Sequence, residues 1–375
     1  MTIYAEKLLS PDGWLYDQVV GIKDGVIASV RPGKTGDRRA EILAPGLLDL
    51  HCHGGLGFDP FTLSFEKLRV FLDGLLSHGV TDVLLTLFTN ETIATRDALR
   101  FIQDAMRLQS EKKLGGTCIL GVHMEGPFLS PLRPGAMTPE RMARPDPDIF
   151  LKNYGDFLNI IKMVTLAPEE DNDFALIKWL IGRGIKVQAG HSDATFEQAE
   201  AAFAAGVTSL CHTFNALRPI HHREPGIITA ALLDDNVYCE AICDLVHLHP
   251  GTLKLIYKCK GARRMAAISD ATMTTALADG VYADAGAKYD ITVADGVNRT
   301  PTGALCGGGI FLDGAVRKLI SIGITAEDAL TMASSTPAAR LALPDVGVIR
   351  PGGAARLVAF DGDYKPVFTT VETDM

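Results

Sequence analysis

No uninterrupted apolar run in this chain approaches the ~20 residues that a bilayer-spanning helix needs. Met1 to Ser10 mixes polar and apolar residues without an apolar central stretch, so no secretory signal is expected there. Positive charge is in deficit: 36 Lys and Arg against 45 Asp and Glu leave a net charge of −9. That balance argues against nucleic acid and anionic membranes as partners, although local cations can still serve a small anionic substrate. The seven cysteines are odd in number, scattered and without any CxxC spacing. Free, mostly buried thiols in a reducing cytoplasm are the economical reading. A dinucleotide-binding fingerprint is missing as well. Gly54-Gly55-Leu56-Gly57 matches it poorly and Gly307-Gly308-Gly309 reads as a loop, which counts against a doubly wound open sheet.

What is present is an ordinary globular composition, 47% hydrophobic and 22% charged over 375 residues, enough for a large core. Eight apolar, strand-like runs succeed one another: Ile42 to His53, Val80 to Phe88, Cys118 to Glu125, Ile161 to Ala167, Ile185 to Ala189, Val207 to His212, Val237 to Asp244 and Arg264 to Asp270. Helical patterns separate many of them, as in Phe65 to Ser77, Ala94 to Leu108, Phe174 to Ile181 and Thr195 to Ala205. Apolar strands alternating with helices imply a parallel sheet covered by helices, and eight such units predict an α/β fold, a (β/α)8 TIM barrel. The two ends read differently. Short β-like runs at Ile3 to Ala5, Gln18 to Ile22 and Val26 to Val30 are echoed by Ala355 to Phe360 and Pro366 to Val371. Neither end has strands enough for a core, so together they predict a small β layer from both termini, residues 1–44 plus 345–375, around a barrel spanning 45–344.

The polar residues at the strand ends carry the functional signal. His51 and His53 share one strand face because side chains alternate. Glu125 ends the third run, and His191, His212, His247 and Asp270 follow the fifth to the eighth. In a barrel all of these lie on one rim, where active sites form. Singly each has an unremarkable alternative, such as Asp270 as a helix N-cap. His123, on the same strand face as Glu125, reads as an interior or supporting group, His78 as a helix-end residue, and Asp193 as a carboxylate orienting the turn after His191. His221 and His222 lie in a loop. Imidazoles and carboxylates without a cysteine ligand suit Zn²⁺ or another divalent first-row ion with an open water position. A free carboxylate beside it can take the water's proton and hand it to a leaving amine. This is hydrolytic chemistry.

At these residues the chain resembles the N-acetylglucosamine-6-phosphate deacetylase family of the amidohydrolase superfamily. The segments that carry the resemblance are Ala44-Pro45-Gly46 before the HxH, His123-Met124-Glu125-Gly126-Pro127-Phe128, Gly190-His191-Ser192, His212-Thr213-Phe214-Asn215-Ala216, Arg223-Glu224-Pro225-Gly226, His247-Leu248-His249-Pro250 and Ser269-Asp270-Ala271-Thr272. The resemblance implies a barrel with a small terminal β-sandwich, usually as a homodimer. It implies Glu125, His191 and His212 as ligands of one metal, and His51 and His53 as ligands of a second that Glu125 bridges. Asp270 becomes the proton shuttle, with a possible metal contact, and His247 the group that positions the acetyl carbonyl. Asn215, the Ala216 backbone and Arg223 are implied to hold the sugar phosphate.

Three departures flank the implied pocket. Arg133-Pro134-Gly135-Ala136-Met137 places a methionine where the family has a substrate-contacting histidine. Asp244-Leu245-Val246 replaces Asp-Gly plus an aliphatic, and Leu305-Cys306-Gly307-Gly308 replaces a Leu-Ala-Gly-Ser loop. Met137 and Ala136, with Leu305, Cys306 and Gly307, are thus expected substrate-wall positions. The expectation is a cytoplasmic, zinc-type deacetylase with one or two ions, acting on N-acetylglucosamine 6-phosphate. The rivals are an N-acetylgalactosamine 6-phosphate or other N-acyl hexosamine deacetylase, a cyclic-amide hydrolase or deaminase, and a metal-binding scaffold without catalysis. The retained Asp270 argues against the last.

Overall fold

The computed structural model describes residues 1–284, 286, 287 and 289–371. The chain opens with β1 (Thr2–Ser10), β2 (Gly13–Lys23), β3 (Val26–Pro32) and β4 (Arg38–Pro45). It then enters eight strands, β5 (Leu47–Cys52), β6 (Val80–Phe88), β7 (Cys118–Glu125), β8 (Ile161–Leu166), β9 (Lys186–Ala189), β10 (Ser209–Leu210), β11 (Tyr238–Ile242) and β12 (Met265–Ile268). These form one sheet in sequence order, parallel at each join, with helices between most of the strands. A separate three-stranded meander, β13 (Gly280–Asp284), β14 (Tyr289–Ala294) and β15 (Val297–Arg299), follows. The last strands, β16 (Leu357–Phe360) and β17 (Pro366–Thr370), return to the first four in a six-stranded sheet ordered β17-β16-β4-β1-β2-β3.

The eight-stranded sheet closes on itself where β5 meets β12. The Asp270 N–H donates to the His51 carbonyl (2.9 Å) and the His53 N–H to that of Ala271 (2.7 Å). Below those bonds the buried Asp49 carboxylate bridges the seam, accepting from the backbone N–H groups of His51 and Ser269, both at 3.3 Å. This is the (β/α)8 barrel, and the terminal sheet has a core of its own, with Ile3, Leu8, Val20, Ile27, Leu43 and Leu357 buried together.

Local sequence explains the covering helices. In Phe65–Ser77 the Ser64 hydroxyl caps Lys67 N, and Leu68, Phe71, Leu72 and Leu75 recur at helical spacing on the buried face. Each such side chain contributes about 1.5–3 kcal/mol on burial. Helix Phe196–Ala204 begins with a reciprocal Thr195–Gln198 capping box.

Two expectations need correction. The run from Ile42 to His53 is two strands: β4 belongs to the terminal sheet and β5 to the barrel, and the chain crosses between them at Gly46. A Cβ at Gly46 would lie 2.0 Å from Thr81 Oγ1 on β6, so only glycine lets the strands pass this closely. The run from Val207 to His212 is a strand over Ser209–Leu210 alone, because the backbone leaves the ladder into a left-handed turn at His212 (φ +21°). The meander β13–β15 was not anticipated, although Asp295-Gly296 between β14 and β15 is a hairpin turn signal.

Gly46→Ala is expected to destabilise the protein by about 1–3 kcal/mol through overpacking against Thr81. Paired with Thr81→Ala, it should recover part of that loss in chemical denaturation. An unchanged unfolding midpoint for the single variant would show that the crossing has slack.

Candidate metal centre and substrate cavity

The barrel delivers the rim residues to one spot. His51 sits on β5 and His53 just beyond it, Glu125 is the last residue of β7, and His191, His212 and Asp270 each lie two residues past β9, β10 and β12. All six are buried, none more than 9% exposed. Three of them, His191 (φ +46°), His212 (φ +21°) and Asp270 (φ +48°), have backbones in the left-handed region. Such conformations in non-glycine residues cost about 1–3 kcal/mol each and persist only where the surroundings enforce them.

The side chains form two sets of three potential ligand atoms. In the first, Glu125 Oε1 lies 3.2 Å from His191 Nε2 and 2.9 Å from His212 Nε2, and the two imidazole nitrogens are 3.1 Å apart. In the second, His51 Nε2 and His53 Nε2 are 3.2 Å apart, and Asp270 Oδ1 is 3.4 and 3.3 Å from them. Glu125 reaches both sets, with Oε1 3.5 Å from His51 Nε2 and Oε2 3.3 Å from His53 Nε2. Ligand atoms ~2.0–2.1 Å from one tetrahedral ion are themselves ~3.3 Å apart. The spacing and the nitrogen–oxygen donor set therefore fit a divalent cation in each group. Facing imidazole nitrogens at this range repel unless a proton or a cation lies between them.

The electrostatics carry the same demand. Burial works against charge on His51 and His212, yet the groups beside them, Glu125 and Cys211, raise both well above the usual imidazole range. Burial likewise opposes ionisation of Glu125, but His51 and hydrogen bonds from His191 and His212 hold its carboxyl well below the ordinary range. The pocket favours positive charge around a fixed carboxylate, which a metal ion would supply without protonating the rings.

Supporting contacts orient these rings. His191 Nδ1 bonds to the Arg133 carbonyl at 2.9 Å, and Asp193 ties that loop down by accepting from Arg133 (2.7 Å) and Arg218 (2.9 Å). Asp193 thus holds a neighbouring loop as well as its own turn. His123 is interior: its nitrogens bond to Thr86 and Thr165, its ring meets His51 edge-on, and burial drives its basicity well down. His78 is the C-cap of helix Phe65–Ser77 and pairs with Asp313 at 3.0 Å.

Above the two sets opens a cavity. His247, Asn215, Ala216, Ala136 and Met137 line it, as do Leu305, Cys306 and Gly307, together with His53, Glu125, His191, His212 and Asp270. His247 Nδ1 is fixed by the Asp244 carboxylate at 2.7 Å, leaving the Nε2 edge available. Leu245, between them, has φ +65°, a conformation natural to glycine. Arg223 is not part of this lining. It is exposed on the turn closed by the His221–Glu224 bridge, where its guanidinium donates to His222 Nε2 at 2.8 Å. Among the described residues Arg141 is the one Lys or Arg on the cavity wall, and no ion pair engages it.

Sequence reasoning missed Arg141, and it missed the contribution of the meander, which brings Asp284, Ala287 and Tyr289 to the wall. It also missed Asp59, 2% exposed and held up to about 6 by burial and by Asp284. The Asp295-Gly296 turn would have revealed the meander; Arg141 carries no motif.

The model of the amidohydrolase family matches residues 42–375. The N-acetylgalactosamine-6-phosphate deacetylase of Escherichia coli O157:H7 is 35% identical over 95% of this chain and 94% of its own length. The N-acetylglucosamine-6-phosphate deacetylase of Bacillus subtilis is 34% identical over 93% of this chain and 90% of its own. Among solved structures, a mutant N-acetyl-D-glucosamine-6-phosphate deacetylase from Mycobacterium smegmatis, in complex with N-acetyl-D-glucosamine-6-phosphate, superposes with a TM-score of 0.91 at 31% identity, covering 100% of this chain and 98% of that one. This chain belongs to the amidohydrolase family.

Proposed function

We propose that this protein hydrolyses the acetamide of N-acetyl-D-glucosamine 6-phosphate, giving glucosamine 6-phosphate and acetate. The observation that carries the reading is the pair of ligand sets joined by Glu125 beneath a cavity lined by Asn215, Ala216 and His247. Deacetylases of this kind are similar to the chain over nearly its whole length. Glu125, His191 and His212 would hold one divalent ion, and His51, His53 and Asp270, with Glu125 between, a second. Zinc suits the donors. When bound, such an ion acidifies water and polarises a carbonyl.

The chain's own residues supply the rest. Asp270 lines the cavity and is held below its usual acidity range despite burial, because His51 and His53 face it. With Oδ1 facing His51 and His53, its other oxygen, Oδ2, is the one left to accept a proton from the attacking water and pass it to the departing nitrogen. His247, held at Nδ1 by the Asp244 carboxylate, which steadies the doubly protonated ring, donates its Nε2–H to the acetyl oxygen as charge develops there. Asn215 and the Ala216 backbone orient the sugar. Arg141 is the cavity's charged partner for the phosphate. The largely buried cysteines suit a reducing cytoplasm, and a homodimer is the assembly proposed.

A second reading has support in the Escherichia coli relative, which is named for the galactosamine epimer. An acetate-release assay on the two epimeric phosphates, unphosphorylated N-acetylglucosamine and a cyclic amide decides between them. The highest kcat/KM on N-acetylglucosamine 6-phosphate supports the proposal, and no acetate from any N-acyl sugar overturns it.

Asp270→Asn should cut kcat by about 10²–10⁴-fold, the usual worth of a general acid–base group. At least one metal equivalent per chain should remain, measured by elemental analysis. Near-normal turnover would remove Asp270 from the proton path. Arg141→Ala should raise KM for the phosphorylated sugar about tenfold or more, since hydrogen bonds to charged groups are worth about 1.5–3 kcal/mol. The unphosphorylated sugar should be turned over unchanged. Loss of that discrimination in Arg223→Ala instead would assign the phosphate to the loop outside the cavity.

A further inference from the structure

The barrel floor holds charged groups that the reaction above does not use. Arg340 ends the short helix Ser335–Arg340, enters from below and is 3% exposed. Its guanidinium donates to Glu240 on β11, Gln188 on β9 and the Ser209 hydroxyl on β10. The surroundings are apolar: Leu48, Leu50, Leu84, Met163, Ile242 and Ile268. Glu240 is fully buried, and its second oxygen accepts from Gln188 Nε2 at 2.6 Å and faces His51 Nδ1 at 3.4 Å. His51 Nε2, at the opposite edge of the ring, is the atom that meets His53, Asp270 and Glu125.

We propose that Arg340 and Glu240 are positioning residues: through the Glu240–His51 hydrogen bond they hold the proton on Nδ1 and aim the Nε2 lone pair into the upper ligand set. The inference rests on the two-ion reading above and concerns the second ion only. A buried ion pair is a poor device for stability, since apolar replacements of similar volume are often neutral or better. A carboxylate behind a ligating imidazole has a different effect, fixing the tautomer and raising ligand basicity; its removal typically weakens metal binding 10–100-fold. Arg340 in turn holds Glu240 in place through its hydrogen bond to the other carboxylate oxygen. The first set does not share this support, because His191 is oriented by the Arg133 carbonyl instead.

The test is a Co²⁺ titration of the metal-stripped full-length chain, followed by visible absorption, with elemental analysis of the purified holoprotein and a melting curve for each variant. Wild type should take up two equivalents. The apolar double variant Glu240→Leu/Arg340→Met should melt within about 5 °C of wild type, bind the first equivalent unchanged and bind the second 10–100-fold more weakly. Glu240→Gln keeps the shape and a hydrogen-bond acceptor, so it should lie between the two and serves as the deciding variant if the double one does not fold. Unchanged affinity for both equivalents in Glu240→Gln overturns the proposal, leaving the pair a structural plug. A wild type that takes up a single equivalent also overturns it. The deacetylase reading stands or falls separately, on acetate release.

Discussion

Everything at the barrel mouth depends on one constraint: several lone-pair donors are held within about van der Waals contact in a buried site, with Glu125 touching both groups. Imidazole nitrogens 3.1 and 3.2 Å apart, each aimed at a carboxylate oxygen, form a stable arrangement only with positive charge among them. Protons can supply it, and the groups beside His51 and His212 accordingly raise both imidazoles against the pull of burial. A divalent ion supplies it better, because it neutralises Glu125 and leaves every ring uncharged. The affinity of the site for a cation is thus the reverse side of the cost of assembling it.

That cost is also visible in the backbone. His191, His212 and Asp270 leave their strands through left-handed conformations, at positions where glycine would be relaxed. The turns are over-determined from outside: the Asp270 N–H closes the barrel seam onto His51, and Arg133 and Arg218 share Asp193 beside His191. Closing the sheet and placing the ligands are therefore one event, since the seam bonds between β5 and β12 run through the backbones of His51, His53 and Asp270. A barrel that failed to close would have no site.

Much of this was legible in the sequence, for physical reasons that also mark where legibility ended. Buried parallel strands read as apolar runs, and β6 and β7 have the bounds their hydrophobicity gives. Titratable residues at the ends of such runs stand out, because nothing about packing asks for them there. The crossing at Gly46 was half legible: the expected boundary at 44/45 lies within two residues of it, yet Ile42 to His53 reads as one apolar run although it serves two sheets, and the closeness of Thr81 shows why glycine stands there. Arg141 and the meander escaped for a different reason. They reach the cavity by tertiary placement of loops after β7 and β12, which no periodicity encodes. Arg223, implied near the sugar phosphate by its motif, is exposed on the His221–Glu224 turn and does not line this chain's cavity.

The donor-set positions and the wall positions differ in how tightly each is coupled. A change at His191, His212 or Glu125 leaves partner atoms at about 3 Å with an unbalanced charge, so the donor set is retained or lost as a unit. Wall positions face a cavity and not each other. Met137 and Cys306 line the cavity, so a change at either alters the wall without stranding a charged partner. Leu245 shows the limit of that freedom: it tolerates φ +65° because Asp244 and His247 on either side are locked to each other. Freedom to vary thus belongs to the cavity wall, while the six-residue donor set stays tied to the barrel's closure.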